Sequence, residues 1–322
     1  MHNSRESEGR RMKKVFIDGS AGTTGLRIAE RLAQRQDIQL IALPEALRKD
    51  VSARKQALNE ADIAFLCLPD DAAREAVSLI ENGRTVVIDT STAHRVKDGW
   101  VYGFPEIGGL REKIKTARRI ANPGCHASGF IALIAPLRQA GSLAEDALLS
   151  CFSLTGYSGG GKKMIAEYEA AGRSELLNAP RQYGLAQAHK HLPEMQKYCG
   201  LDAAPIFCPI VAPYYAGMEV TVPLFQSQCK GGLHDIREVY RAYYQTGLAR
   251  FRESADEQGF LSAGALAGRD DMEITVSGNG ERILLTARFD NLGKGASGAA
   301  IQNMNLVLGA DEETGLVTAH DE

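Results

Sequence analysis

The residues best suited to covalent chemistry lie at positions 122–128, which read Asn-Pro-Gly-Cys-His-Ala-Ser. Cys125 follows a Pro-Gly turn and precedes a helical pattern that runs from 127 to 138. The positive end of a helix dipole and its free N–H groups favour a thiolate, which is the nucleophilic form of cysteine. Cys125 is therefore a candidate nucleophile for acyl chemistry. The alternative interpretation is a small buried cysteine of the core.

A thiol nucleophile needs a proton acceptor, and two histidines stand close together later in the chain. His189 and His191 belong to the run His-Lys-His-Leu-Pro-Glu at 189–194. Imidazole titrates near neutral pH, so either ring can take the thiol proton and later serve the carbonyl oxygen. Their spacing predicts that both face one side of an extended segment. We assign His189 as the base and His191 as its partner, with a zinc half-site and a solvated turn as alternatives.

Other polar clusters suit an anionic substrate. Arg95 and Ser91 follow the end of a predicted strand, where open α/β sheets bind ligands, and an arginine fork suits phosphate or carboxylate. The run Thr-Gly-Tyr-Ser-Gly-Gly-Gly-Lys at 155–162 is glycine-rich but lacks the spacing of a phosphate-binding P-loop, so a flexible loop is its alternative. The predicted substrate-binding residues are Arg95, Asn122, Tyr157, Ser158, Gly159, Lys190 and Glu194.

A glycine turn near the start of the chain predicts a nucleotide site. An apolar strand at 15–18 ends in a turn with glycines at 19, 22 and 25, and a helical pattern follows. Glycines let the backbone approach a pyrophosphate, while the N-terminus of the next helix binds the anion. A tight turn without a ligand is the alternative. The predicted cofactor contacts in the turn are Gly19, Ser20, Ala21, Gly22, Thr23, Thr24 and Gly25.

The end of the second predicted strand indicates which dinucleotide binds. An acidic residue there would hold the ribose of NAD, but this chain has Leu43 and Pro44, with Glu45 just beyond. Arg48 and Lys49 follow, and basic side chains suit the 2′-phosphate of NADP. We therefore predict NADP rather than NAD, with Arg48 and Ser91 among the cofactor contacts.

These groups must be positioned by two kinds of sheet. Apolar strands at 15–18, 38–43, 63–68 and 86–89 alternate with helical patterns, which is typical of a parallel, doubly wound α/β sheet. Later strand candidates at 148–154, 217–225 and 282–289 include alternating patterns, which favour a second, α+β domain with an antiparallel sheet covered on one face.

The domain boundaries follow from this change of pattern. A glycine-rich segment at 291–298 leads into a helix at 299–308, which we expect to return to the first domain. We place the dinucleotide-binding domain at 12–124 plus 293–322, the catalytic and oligomerisation domain at 125–292, and a disordered extension at 1–11.

Composition excludes several classes of function. With 37 Lys+Arg against 40 Asp+Glu, the net charge of −3 provides no basic surplus for a nucleic-acid binder. The most apolar stretch, 203–218, contains three prolines and predicts no membrane span, and residues 1–11 lack the apolar core of a secretory signal. Six cysteines without a C-x-x-C pair argue against a zinc site or a disulfide framework, so we predict no metal and a cytoplasmic location.

Taken together, four features in one order resemble a known family. They are the early nucleotide turn, Asn-Pro-Gly-Cys near residue 120, H-x-H-x-P-E at 189–194, and a late N-x-x-K-G-A-S-G-x-A-x-Q-N-x-N segment. From Lys13 to about Leu308 the chain is similar to the shorter branch of the N-acetyl-gamma-glutamyl-phosphate reductases, which belong to the semialdehyde dehydrogenase superfamily. One departure is Ser128, where the family commonly has threonine.

The resemblance implies an N-terminal Rossmann domain and a second domain that forms homo-oligomers, either dimers or tetramers. It implies the arginine-biosynthesis reaction, in which N-acetyl-L-glutamyl 5-phosphate is reduced by NADPH to N-acetyl-L-glutamate 5-semialdehyde and phosphate through a thioester on Cys125. It also places four residues beside the nicotinamide: Asn291, Lys294, Gly295 and Asn303.

Two other functions remain open on the sequence. Aspartate-semialdehyde dehydrogenase shares the turn, the cysteine and the chemistry on a shorter substrate, although the paired histidines favour the N-acetylglutamyl substrate. A non-catalytic NADP-sensing regulator would keep the glycine turn but would not need Cys125 with a histidine pair. The sequence also leaves open whether a carrier protein replaces the acetyl group.

Overall fold

The computed structural model describes residues 12–319. The extension predicted at 1–11 lies outside this range, as do residues 320–322. The described part of the chain forms two β-sheets with helices packed against them.

The first sheet is built from the apolar strands near the N-terminus. Its strands in chain order are β1 (Lys13–Asp18), β2 (Ile38–Ile41), β3 (Ile63–Leu66), β4 (Val86–Asp89), β5 (Val101–Tyr102) and β6 (Arg119–Ala121). They are all parallel, in the spatial order β2-β1-β3-β4-β6-β5. The carboxyl ends of β1, β3, β4 and β6 therefore share one edge, where ligands bind in open α/β sheets.

The second sheet is mixed. Its strands are β7 (Ser150–Gly156), β8 (Arg181–Gln182), β9 (Ile206–Ala212), β10 (Met218–Phe225), β11 (Ala249–Phe251), β12 (Met272–Gly278) and β13 (Arg282–Phe289). Their spatial order is β11-β12-β13-β10-β7-β9-β8. The predicted antiparallel sheet is wrong for two pairs, because β7–β9 and β11–β12 are parallel. Such pairings join strands far apart in the chain, so alternation within one strand does not reveal them.

Helices cover both faces of the first sheet. The α-helices are α1 (Thr23–Leu32), α2 (Val51–Glu60), α3 (Asp70–Ser78), α4 (Leu110–Thr116), α5 (Cys125–Gln139), α6 (Gly161–Glu169), α7 (Leu192–Cys199), α8 (Leu233–Tyr243) and α9 (Gly298–Leu308). Residues of α1 and α9 form one core with the first sheet, and residues of α2 and α3 form another. The prediction that the late helix returns to the first domain is confirmed.

The helix α5 links the nucleophile to the second sheet. It is almost entirely buried and packs against β10 and β13. A Cβ at Gly129 would lie 2.4 Å from Val220 Cγ2, so only glycine allows this close approach. The first residue of α5 is therefore held firmly at the boundary between the two sheets.

Among the helices of residues 12–319, none is long and apolar enough to span a bilayer.

Candidate active site

Cys125 is the first residue of α5, which begins two residues before the helical pattern predicted from 127, and Gly124 is the N-cap. Burial raises the pKa of the Cys125 thiol above its usual value, although the Arg95 guanidinium and the backbone N–H of His126 both act to lower it. The net direction differs from the sequence-based expectation of a stabilised thiolate. A neutral thiol dominates near pH 7, so this nucleophile needs a proton acceptor.

A buried carboxylate fixes the turn before Cys125. Glu194 accepts hydrogen bonds from Arg95 Nη1 at 2.8 Å, Tyr102 Oη at 2.7 Å and the Gly124 N–H at 3.1 Å. A Cβ at Gly124 would lie 2.4 Å from Arg95 Nη1 and from His191 Nε2. Arg95 also donates to the carbonyl oxygens of Asn122 and Thr90. Four chain segments therefore converge on the residue that precedes the nucleophile.

His189 and His191 lie at the N-terminal end of α7, with His191 as its N-cap, and not in the extended segment predicted from the sequence. Their ring centroids are 4.7 Å apart and the rings are nearly perpendicular. The backbone N–H of His191 donates a hydrogen bond to the ring Nδ1 of His189 at 3.2 Å. The Nδ1 of His191 is buried with no hydrogen-bond partner, while its Nε2 lies 4.0 Å from Glu194 Oε1.

A third histidine, His126, was not selected from the sequence. Its Nδ1 lies 2.7 Å from Ser153 Oγ and its Nε2 lies 2.7 Å from Tyr183 Oη. Its ring centroid is 5.7 Å from that of His189 and 5.6 Å from that of His191. His126 directly follows the candidate nucleophile, and this adjacency was the available signal.

All three rings are neutral at pH 7, because burial lowers the pKa of His126 to about 3, that of His189 to about 4 and that of His191 well below its usual value. Neutral imidazoles can accept a proton, as the chemistry at Cys125 requires.

These lowered pKa values predict acid lability. Below about pH 6.5 a histidine in the unfolded chain binds a proton, whereas the buried ring in the folded chain stays neutral. The free energy of unfolding is therefore highest above this pH and falls as the pH drops. Between pH 7 and pH 5 we expect a loss of about 2 kcal/mol from His126, whose pKa in the folded chain is about 3, and a further loss from His189 and His191. Urea unfolding at the two pH values measures it. His126→Gln should remove about 2 kcal/mol of this pH-dependent loss. The variant of an exposed histidine, His234→Gln, is the control and should lose as much stability as the parent chain. Equal stability of the parent chain at both pH values would contradict this account.

Two cavities meet at the glycine turn. The catalytic cavity, of about 250 Å³, contains Cys125, and the outer cavity, of about 610 Å³, lies beside the ends of β1 and β2. Thr23 and Thr24 line the first, whereas Gly19, Ser20 and Ala21 line the second. An elongated ligand across the turn would reach both cavities.

Twelve predicted residues line the catalytic cavity: Cys125, His189, His191, Thr23, Thr24, Arg95, Asn122, Ser158, Gly159, Lys190, Asn291 and Gly295. Arg48 lines the outer cavity with Gly19, Ser20 and Ala21. Gly22 and Gly25 shape the turn, since a Cβ at Gly25 would lie 2.5 Å from Gly19 O. Thr90, His126 and Tyr183 also line the catalytic cavity and were missed.

Seven predicted ligand contacts line neither cavity: Gly22 and Gly25 of the turn, and five residues whose side chains have partners within the protein, namely Ser91, Tyr157, Glu194, Lys294 and Asn303. Ser91 donates to Asp89, Tyr157 stacks on Tyr168, and Glu194 binds Arg95. Lys294 is 1% exposed and paired with Glu106, and Asn303 donates to Gly103 O and Asn122 Oδ1. The ligand contacts predicted at these five positions stay predictions.

No group of three or more His, Cys, Asp or Glu residues within 12–319 is arranged to hold a metal ion.

Two family models match the chain. The semialdehyde dehydrogenase NAD binding domain matches residues 14–117, and the semialdehyde dehydrogenase dimerisation domain matches residues 125–291. The NAD-binding match covers the first sheet and its glycine turn, and the dimerisation match begins at Cys125.

Curated relatives and solved structures agree with these models. The N-acetyl-gamma-glutamyl-phosphate reductase of Brucella anthropi is 49% identical over 308 residues, covering 92% of this chain and 98% of the relative. That of Brucella canis is 48% identical, covering 92% and 99%.

Solved structures show the same fold at low identity. Aspartate semialdehyde dehydrogenase II from Vibrio cholerae, complexed with ASA, aligns with a TM-score of 0.69 at 17% identity, over 92% of this chain and 98% of that one. Aspartate semialdehyde dehydrogenase with NADP from Candida albicans aligns with a TM-score of 0.66 at 14% identity, over 93% and 99%.

Proposed function

The chain belongs to the N-acetyl-gamma-glutamyl-phosphate reductase family of the semialdehyde dehydrogenases, and from this membership we infer that it reduces N-acetyl-L-glutamyl 5-phosphate to the 5-semialdehyde with release of phosphate, in arginine biosynthesis. The observation that carries the inference is Cys125 at a helix N-terminus, in one cavity with two neutral histidines and beside a glycine turn. Acyl transfer to a thiol and a nucleotide-dependent reduction need this set of groups.

The glycine turn fits a dinucleotide. Gly19 has φ of +88°, and a Cβ there would lie 2.2 Å from Cys67 O, so only glycine allows the turn. Thr23 begins α1, and its Oγ1 is buried without a hydrogen-bond partner. The turn and the helix N-terminus suit a pyrophosphate, and when bound, a reduced nicotinamide supplies the hydride.

We assign NADP as the preferred dinucleotide because Arg48 and Lys49 line the outer cavity close to the end of β2. Arg48→Ala should raise the KM for NADPH by about tenfold and leave that for NADH within about twofold, since only NADPH carries the 2′-phosphate that Arg48 would pair. Initial rates with each cofactor measure this. Arg84→Ala, an exposed arginine outside both cavities, is the control. An equal loss with both cofactors would contradict the assignment.

In the proposed mechanism, the Cys125 sulfur attacks the acyl-phosphate carbonyl after losing its proton, the C–O bond to phosphate breaks, and a thioester forms. The free backbone N–H groups at the N-terminus of α5 would stabilise the negative charge that develops on the carbonyl oxygen. Lys190, an exposed cation in the cavity wall, is proposed to bind the substrate carboxylate. The thioester carbonyl would then gain the hydride that a bound reduced nicotinamide supplies, and collapse of the resulting thiohemiacetal would break the C–S bond, release the aldehyde and return the thiolate.

The hydrogen bond between the two histidines revises their proposed roles. Since His189 Nδ1 accepts the His191 N–H, the proton of neutral His189 lies on Nε2, which can donate to the carbonyl oxygen. We propose that the Nδ1 of neutral His191, which is buried without a hydrogen-bond partner, accepts the thiol proton. This exchanges the roles assigned from the sequence.

The exchanged roles make a prediction about thiol reactivity. His191→Asn should slow alkylation of Cys125 by iodoacetamide at pH 7 by about tenfold or more, because the proton acceptor is lost. His189→Asn keeps an N–H donor and should change this rate by less than about threefold. His234→Asn is the exposed control. A slower rate in His189→Asn alone would restore the original assignment.

A two-substrate assay tests the function. Purified protein is given NADP and phosphate with either N-acetyl-L-glutamate 5-semialdehyde or aspartate semialdehyde, and NADPH absorbance is followed. The proposal predicts phosphate-dependent NADPH formation with the acetylated substrate only. Signal only with aspartate semialdehyde would assign the alternative dehydrogenase, and no signal with either would favour the regulator.

We also propose that the outer face of the second sheet forms a homodimer. One face of this sheet packs on α5, while the other exposes Phe152 and Leu284 at 43% each and Ile206 at 64%. An apolar sheet face of this kind is typical of a partner interface, and the matched model is a dimerisation domain. Leu284→Asp should shift the mass measured by light scattering from dimer to monomer, and a monomeric parent chain would contradict the proposal.

A further inference from the structure

A buried ion pair lies behind the catalytic cavity. Lys294 Nζ donates to Glu106 Oε1 and Oε2, both at 2.8 Å, and to Gln302 Oε1 at 2.5 Å. Both charged side chains are 1% exposed. Glu106 also accepts from the Leu248 N–H at 3.0 Å and from Gln302 Nε2 at 2.9 Å. The three donors of Lys294 are therefore all used within the protein.

Burial shifts the pKa of both partners, and each charge opposes that shift in the other. The pKa of Lys294 is lowered overall, because burial outweighs the effect of the Glu106 carboxylate. Burial acts to raise the pKa of Glu106, but the Lys294 ammonium and the hydrogen bonds from Gln302 and Leu248 lower it overall. Burying such a pair is costly, and well-packed apolar residues often serve stability equally well. We therefore look for a role of the pair in positioning the residues around it.

Lys294 belongs to the short π-helical turn at Gly293–Ser297, whose other side forms a wall of the catalytic cavity. A Cβ at Gly295 would lie 3.0 Å from Cys125 Cβ, so this backbone rests directly against the nucleophile. Asn122 Nδ2 donates to Ala296 O at 3.0 Å, and the Gly295 N–H donates to Asp290 O at 3.0 Å. π-Helical turns are frequent at functional sites.

The ion pair connects this wall to distant parts of the chain. Glu106 follows β5 of the first sheet, Gln302 lies in α9, and Leu248 precedes β11 of the second sheet. A movement of the turn would break three hydrogen bonds to Lys294 and expose an uncompensated carboxylate to an apolar interior. The pair therefore resists displacement of Gly295 from Cys125.

We propose that Lys294, Glu106 and Gln302 form a positioning cluster that holds the Gly293–Ser297 turn against Cys125 and so keeps the acylated cysteine in the geometry needed for reduction. The cluster touches no reacting atom and acts through the turn. The inference rests on the proposed role of Cys125. Displacements of about 1 Å at such a site can cost about 100-fold in rate.

The test separates positioning from stability. Lys294→Met leaves Glu106 buried without its partner and should lower both thermal stability and kcat. The double variant Lys294→Met/Glu106→Gln removes both charges, so its stability should return toward that of the parent. Because the turn is no longer fixed, its kcat should stay at least about tenfold low while the substrate KM changes less than about threefold.

Alkylation of Cys125 by iodoacetamide is a second readout that needs no substrate. When the Gly293–Ser297 turn is no longer held against Cys125, the thiol is less buried. Alkylation of the double variant should therefore be at least about threefold faster than that of the parent. Tyr240→Phe removes a buried hydrogen bond to Leu133 O, about two helical turns along α5 from Cys125, and is the control for lost stability. Its alkylation rate should match that of the parent.

Parent-like kcat and alkylation in the stable double variant would overturn the proposal and leave the pair a structural ion pair. If the parent shows no turnover of the proposed substrate, the proposed function fails, while the alkylation rates still decide the positioning role.

Discussion

Cys125→Ala should fold like the parent chain and lose at least about 10⁴-fold in kcat, because the thioester cannot form without the sulfur. The side chain is half-buried at the start of α5, and its removal costs the hydrogen bond from the His126 backbone N–H to the sulfur. Cys125→Ser should keep at most a trace of activity, since a hydroxyl is far harder to ionise than a thiol. Initial rates of NADPH formation and urea unfolding measure the two effects separately.

Cys229→Ala is the matched control for this prediction. Cys229 is buried away from both cavities, where burial raises the pKa of its thiol. The variant should lose a little stability and keep its kcat. Substantial turnover by Cys125→Ala would exclude covalent catalysis by this cysteine.

Glu194→Gln should cost about 3–5 kcal/mol of unfolding free energy, because it leaves the Arg95 guanidinium buried without its counter-charge. The carboxylate holds Arg95, Tyr102 and the Gly124 N–H together, and all three lie around the nucleophile's turn. An amide presents only one acceptor oxygen, so at least one of these donors loses its partner. We expect kcat/KM to fall about 100-fold as Gly124 and Cys125 move.

Urea unfolding and steady-state rates measure the effects of Glu194→Gln. The control is Glu112→Gln, which removes an exposed ion pair with Lys115 in α4 and should change stability by less than about 0.5 kcal/mol. If Glu194→Gln behaves like Glu112→Gln, then the buried cluster does not organise the site.

The local parts of the site could be predicted from the sequence. The glycine turn lies between β1 and α1, and Cys125 begins α5, because both depend on neighbouring residues and on helix-start signals. The parallel first sheet followed from continuous apolar strands that alternate with helices. These signals are contained within about 20 residues of chain.

The partners of these groups could not be predicted in the same way. Tyr102 reaches Glu194 across 92 positions, and His126 reaches Tyr183 across 57 positions. Such contacts depend on how the two sheets pack, which no local pattern encodes. Lys294 shows the same limit. The late glycine-rich motif predicted it beside the cofactor, whereas in the structure Gly295 of the Gly293–Ser297 turn lines the catalytic cavity and the Lys294 side chain donates to Glu106. The direction of a side chain out of an irregular turn is set by its long-range partner.

The acyl-enzyme itself provides the most direct test of the account. Enzyme without cofactor is mixed with N-acetyl-L-glutamyl 5-phosphate, quenched in acid and digested, and the peptides are weighed by mass spectrometry. The account predicts release of one phosphate per chain and the added mass of one N-acetylglutamyl group on the peptide containing Cys125, lost again when NADPH is added before the quench. An unmodified Cys125 peptide from enzyme that is active in the same preparation would contradict it.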